Sequence, residues 1–175
     1  MANQPDQPSD DEIRKWHRRF AVECNNRAWR LSEASTRSLT DDAEMLNAAY
    51  AAAFHWGKVG TELHAARARM LLGQVHALLG HGELAMHYAS ASFAYVTAQD
   101  SAQWELAFAH AVLANAASAA KNAEIHSRHY ALARQMGQAL SDAEEREIFE
   151  ATFRHVPAPP TEGQDITATP PQRSH

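Results

Sequence analysis

The chain is poor in the residues that build disulfides, sheets and membrane spans. Its single cysteine, Cys24, has no partner within the 175 residues, so an internal disulfide is excluded and the reducing cytoplasm is the expected compartment. No run of about 18 apolar residues occurs, which argues against a membrane partner or a membrane helix. The opening MANQPDQPSDDE is polar and acidic, unlike a secretory signal. Positive charge is not in excess either. Sixteen Lys and Arg stand against 21 Asp and Glu, a formal net charge of −5, so nucleic acid is not an expected partner. Val and Ile together number only ten, too few β-branched residues for a sheet protein.

Alanine fills the space those absences leave. It occurs 36 times, and as the best helix former it points to an all-α chain of closely approaching helices. Start and stop signals divide the chain into seven expected helices. Ser9-Asp10-Asp11-Glu12 is a capping box, in which the Ser9 hydroxyl and the Glu12 carboxylate each satisfy a free backbone N–H. Ile13, Trp16, Phe20, Cys24 and Leu31 then recur at helical spacing to about Glu33. The second helix is expected from about Asp41, with Met45, Leu46, Ala49, Ala52, Ala53 and Trp56. The third starts at Thr61 and has the broadest apolar face, and Gly80-His81-Gly82 breaks it because glycine tolerates the positive φ of a helix C-terminus. The fourth spans about Glu83 to Thr97, and Asp100 or Ser101 caps an alanine-rich fifth. Lys121-Asn122 makes the next turn before a sixth helix carrying Ile125, Tyr130, Ala133 and Met136. Ser141-Asp142-Ala143-Glu144 reads as a second capping box, opening a seventh helix with Ile148, Phe149 and Phe153. After Val156 the pattern stops. The expected organisation is a flexible N-terminus over residues 1–8, a helical domain over 9–156, and a disordered proline-rich tail over 157–175.

An internal repeat is legible. Asp42-Ala43-Glu44-Met45, His81-Gly82-Glu83-Leu84 and Asn122-Ala123-Glu124-Ile125 share one pattern at offsets of 39 and 41, each expected just after a turn. Ala52, Phe54 and Trp56 correspond to Ala91, Phe93 and Tyr95 at the same offset of 39. A period near 40 with two helices per period is the mark of stacked helical hairpins, each burying one face on its neighbours. Within the central hairpin, Leu72-Gly73, the turn at Gly80 and then Ala85 resemble the tetratricopeptide signature, in which Leu-Gly of the first helix packs on a small residue of the second. Arg69, His76 and Ala89 stand where that signature has aromatic residues, and its closing proline is missing. The resemblance implies a right-handed superhelix of about three stacked hairpins with the seventh helix as a cap.

Chemistry is sparse. Eleven histidines are the oddest feature of the composition, and full protonation would carry the formal charge from −5 to +6 around the ordinary histidine pKa. His126 and His129, one turn apart, are the best local metal pair, yet no HExxH, cysteine pair or third ligand completes them. His76, inside a strongly apolar helix, reads as a hydrogen-bonded core residue. Cys24 sits on an apolar stripe, the serines occupy turns, caps and alanine-rich helix positions, and no nucleophile elbow or phosphate loop is present. No cofactor is implied. Arg14, Lys15, Arg18, Arg19, Arg27 and Arg30 form a local basic run, read as a solvated face pairing with the acidic stretch Asp10–Glu12 and with neighbours.

What the resemblance implies is a concave surface lined by the first helix of each hairpin. In that register Arg67, Met70 and Gln74 face the groove, and the repeat offset of 41 sets Phe108, Asn115 and Ser118 beside them. Arg67, Gln74 and Asn115 could hold a peptide backbone or carboxylate, with helix-to-helix hydrogen bonding as the equal alternative. The expectation is therefore a non-enzymatic adaptor or scaffold that binds a protein or peptide. Two alternatives stand beside it: a histidine-based metal or small-molecule protein, and a self-associating protein in which Trp16, Trp29 or Trp104 seals a homodimer face.

Overall fold

The computed structural model describes residues 7–160; most of the two expected extensions, 1–6 and 161–175, lies outside the described residues. Among them are seven helices and no strand: α1 (Asp10–Ser32), α2 (Leu39–Val59), α3 (Glu62–Leu78), α4 (Gly82–Thr97), α5 (Gln103–Ala119), α6 (Ala123–Ala139) and α7 (Ala143–Phe153). None is long and apolar enough to cross a membrane.

Helix starts follow local chemistry. The Ser9 N–H donates to Glu12 Oε2 at 2.8 Å and the Glu12 N–H to Ser9 Oγ at 3.4 Å, the capping box read from the sequence. A second box, Ser38 with Asp41, starts α2 two residues before Asp41. Asp42-Ala43-Glu44-Met45 therefore lies inside α2 rather than at its start, unlike the other two copies of the motif. Two further caps differ from expectation. The Ser101 hydroxyl donates to Val96 O at 2.8 Å, ending α4, and α5 opens at Ala102 with no side-chain cap. Asp142, not Ser141, caps α7, accepting from the Glu144 and Glu145 N–H groups at 2.9 Å each. One carboxylate there satisfies two free donors at the positive end of the helix.

Two of the hairpin turns are the same object. Gly80 takes φ +73°, and the His81 N–H bonds His76 O at 2.9 Å. Forty-one residues on, Lys121 takes φ 59°, and the Asn122 N–H bonds Ala117 O at 2.9 Å. Both are helix ends closed by a left-handed residue, although only the first uses glycine. The 41-residue offset is thus present in the backbone as well as in the letters.

Packing runs between neighbours. α1 pairs with α2, α3 with α4, and α5 with α6; the odd-numbered helices also touch in series, α1 on α3, α3 on α5, and α5 on α7. α3 and α5 lie between these partners. Residues 70–77 and 107–109 are buried, as are 111–117. A helix buried almost all round needs apolar or small residues on every side, which is what the alanine content of α5 supplies. At the α3–α4 crossing, a Cβ on Gly73 would stand 3.0–3.1 Å from the backbone and Cβ of Ala89. The small partner of Leu72-Gly73 is therefore Ala89, one turn beyond the expected Ala85. After α7 the chain turns back: the His126 ring N–H donates to Pro157 O at 2.7 Å, and the His155 ring reaches Glu33 O at 3.2 Å.

Candidate functional site

On the side of the odd helices, a cleft of about 250 Å³ is lined by Trp29 and Glu33 of the α1 end, Arg67 and Met70 of α3, Trp104, Glu105 and Phe108 of α5, and Ile148 of α7. Each helix contributes because the odd helices lie in sequence. The walls are apolar. Met70 and Phe108 are buried, the Trp29 ring meets Phe108 edge-on at 5.3 Å, and Ile148 is 48% exposed at the mouth. One ion pair crosses from α3 to α5: Arg67 Nε donates to Glu105 Oε1 at 2.8 Å, and the guanidinium lies 5.6 Å from the Trp104 ring centre. Glu105 is almost fully buried while Arg67 keeps nearly half its side chain in solvent, so the arginine holds a buried charge in place. Burial pushes the Glu33 carboxyl up, against the opposing pull of the Arg154 charge.

The expected groove residues separate into three groups. Arg67, Met70 and Phe108 meet in this cleft. Gln74 and Asn115 do not line it; they are buried beneath, where Asn115 Nδ2 donates to Gln74 Oε1 at 2.9 Å. Their offset of 41 brings them together as the repeat predicts, but as a helix-to-helix bond, and Gln74 Nε2 finds no partner. Ser118 lies at the far end of α5, in a separate cleft with His126 and the Pro157–Pro160 segment. Sequence reasoning missed Glu33, Glu105 and Ile148 and named Trp29 and Trp104 only under the alternative of a homodimer face. A usable signal was there: Glu105 follows Arg67 by 38 residues, close to one period, with opposite charge.

Six of the histidines gather in three pairs, one per hairpin. His17 and His55 approach Nδ1 to Nδ1 at 2.7 Å between α1 and α2, His76 and His81 at 3.1 Å across the α3–α4 turn, and His110 and His129 at 2.9 Å between α5 and α6. His76 is buried and also bonds the Tyr50 hydroxyl at 2.9 Å through Nε2, as its apolar setting suggests. His126 and His129 do not form a pair: one binds the Pro157 carbonyl and the other binds His110. Among the described residues, no group of three or more His, Cys, Asp or Glu comes together to hold a metal ion. Such a pair needs one ring to donate and the other to accept, so both rings cannot be protonated at once. Burial first, and the neighbouring histidine second, depress His55 and His76, and His110 is pushed down to about 4 by burial, then by His129 and Arg128.

The basic run of α1 is largely solvent-exposed and pairs through Arg27 with a neighbouring helix rather than with Asp10–Glu12. Arg27 grips Glu44 of α2 through two bonds of 2.7 and 2.9 Å, while Glu12 is held by Ser9. Among the described residues, Arg14, Lys15, Arg18, Arg19 and Arg30 have no ion-pair partner within 4.0 Å. Cys24 is part-buried, and its thiol is pushed up first by burial and then by Glu23, the opposite of an activated nucleophile. Set beside known proteins, the chain finds no counterpart: no protein-family model, curated protein or solved structure matches it.

Proposed function

We propose that the chain is a non-enzymatic, tetratricopeptide-like module that takes an apolar side chain of a peptide or protein partner into the odd-helix cleft. The observation that carries this reading is the cleft itself, where two tryptophans, Met70, Phe108 and Ile148 surround one ion pair. Apolar walls with a few fixed polar groups are what a binding pocket needs, the walls for affinity and the polar groups for orientation. The volume suits one large side chain, so the remainder of a partner would run along the odd-helix row. The Arg67–Glu105 pair supports preorganisation, since the arginine is held by a carboxylate and an indole at once and little side-chain freedom is left to lose on binding.

The test is partner capture with the full chain beside an Ile148→Glu variant. Ile148 stands at the mouth, half in solvent, so a charge there blocks entry without disturbing the core. A discrete partner held by the wild type and lost by an equally stable Ile148→Glu supports the reading. Equal retention by both moves the binding surface elsewhere.

A further inference from the structure

Inside the molecule, each odd helix settles on the hairpin before it: α3 on α1 and α2, α5 on α3 and α4, α7 on α5 and α6. Among the described residues the row begins at α1 and ends at α7. Phe20 precedes Trp29 by nine residues, about half a turn around the helix, so it lies on the side of α1 away from α3 and the cleft. That outer side is unusually apolar for an end: Trp16 is 51% exposed, Phe20 50%, and Phe54 of α2 58%. Beside these rings a shallow groove between α1 and α2 is floored by Cys24, Ala43, Ala48 and Ala51, small enough residues to admit a helix. At the other end no helix follows α7 among the described residues. It buries Phe149 and Thr152 and turns Glu144, Glu147 and Glu150 to solvent.

The two ends differ in charge. Arg19 shares a cleft with Trp16, Phe20 and Glu23, and Arg30 edges the groove next to it; neither arginine has an ion-pair partner among the described residues. With the Arg27–Glu44 pair internally neutral, the outer side of α1 keeps a positive balance against Glu23 alone. On α7 Glu144, Glu147 and Glu150 face outward against two arginines, Arg154 and Arg146, the latter turned back onto the Leu140 carbonyl at 2.6 Å. We propose that α1 of a second copy packs on α7 as α3 packs on α1, continuing the odd-helix row from chain to chain. Arg19 and Arg30 of one copy then meet Glu147 and Glu150 of the next, and the exposed aromatic rings are covered. Such a contact joins unlike surfaces and does not close on itself as a two-fold dimer does, so assembly grows with concentration. Salt screens its charges and weakens it.

Sedimentation of the full chain across a concentration series, in low and high salt, tests this. The expected result is an average mass that climbs above the 19.3 kDa monomer in low salt and falls back in high salt. Arg19→Glu/Arg30→Glu and Glu147→Lys/Glu150→Lys change only exposed side chains, and each alone is expected to weaken association about tenfold. Mixed, the two variants present complementary ends again and associate with each other. A wild-type chain that stays monomeric throughout overturns the proposal. So does a Glu147→Lys/Glu150→Lys variant that associates as the wild type does, because that outcome describes an α1-to-α1 dimer.

Discussion

Acidification is expected to loosen the α5–α6 hairpin through the His110–His129 pair. The free energy follows from where the ring takes its proton. In the unfolded chain His110 titrates near 6.5, the ordinary value; in the fold, burial and then the charges of His129 and Arg128 hold it at about 4. Above about pH 7 the ring is neutral in both states and contributes no pH dependence. As the pH falls through 6.5 the unfolded chain gains a proton that the folded chain refuses, so stability is lost progressively until the folded ring titrates near 4. At about pH 5 this linkage amounts to about 2 kcal/mol if the ring is fully shielded. His110 is only part-buried, so solvent screening reduces the effect to about 1–2 kcal/mol. For a chain of this size that is a fall in Tm of about 2–8 °C. His55, His76 and His129 are shifted in the same direction, so the measurement is a comparison: urea unfolding of the wild type and of His110→Asn, each at about pH 7.5 and about pH 5. Asparagine keeps a polar group opposite His129 but does not titrate. The wild type is expected to lose about 1–2 kcal/mol more than the variant between the two conditions. Equal losses would refute the assignment of this acid sensitivity to the pair.

Three further outcomes follow from the packing. Asn115→Ala leaves Gln74 buried with neither amide end bonded and opens a small cavity, so urea unfolding should show a loss of about 2–3 kcal/mol. Lys121→Gly should raise stability by about 1 kcal/mol in the same assay, because it relieves a left-handed backbone that glycine adopts freely, whereas Gly80→Ala at the matching turn should lower it by a similar amount. Gly73→Val forces its methyl groups onto the Ala89 backbone and should cost at least about 2 kcal/mol in thermal melts, unless α3 and α4 can separate without loss.

The helices were legible because their causes are local. Ser9 and Glu12 lie three residues apart, and the letters alone specify the bond they make. Where a cap had competitors the letters were ambiguous: Ser141 and Asp142 both offer an oxygen, and the carboxylate reaches two N–H groups where the hydroxyl would reach one. Ser101 was a reasonable cap for α5 until the end of α4 arrived beside it with a free carbonyl. The repeat period was legible at a longer range, since an offset of 41 joins Gln74 to Asn115 and the turn at Gly80 to the turn at Lys121.

The site was harder to read, because Arg67 and Glu105 sit near one repeat period apart while Trp29, Glu33 and Ile148 carry no periodic signal. An offset places two positions near each other but does not say which of them face the solvent. The repeat register set Gln74 and Asn115 on the groove side with helix-to-helix bonding as the equal alternative, and the scarcity of polar partners on an apolar helix decides for the bond to each other. Arg67 faced the same choice and resolved it the other way, pairing with Glu105 at the edge of the core with its far side still in water. What separates the two cases is depth along the helix. Gln74 is two turns deeper along α3 than Arg67, where the flanking helices exclude water on every side. Arg67 lies in the first turns of α3, where Trp29, Trp104 and Ile148 enclose space without filling it. A single repeat register thus yields both a buried amide lock and an open cleft, and the cleft lies where the row of odd helices leaves the core.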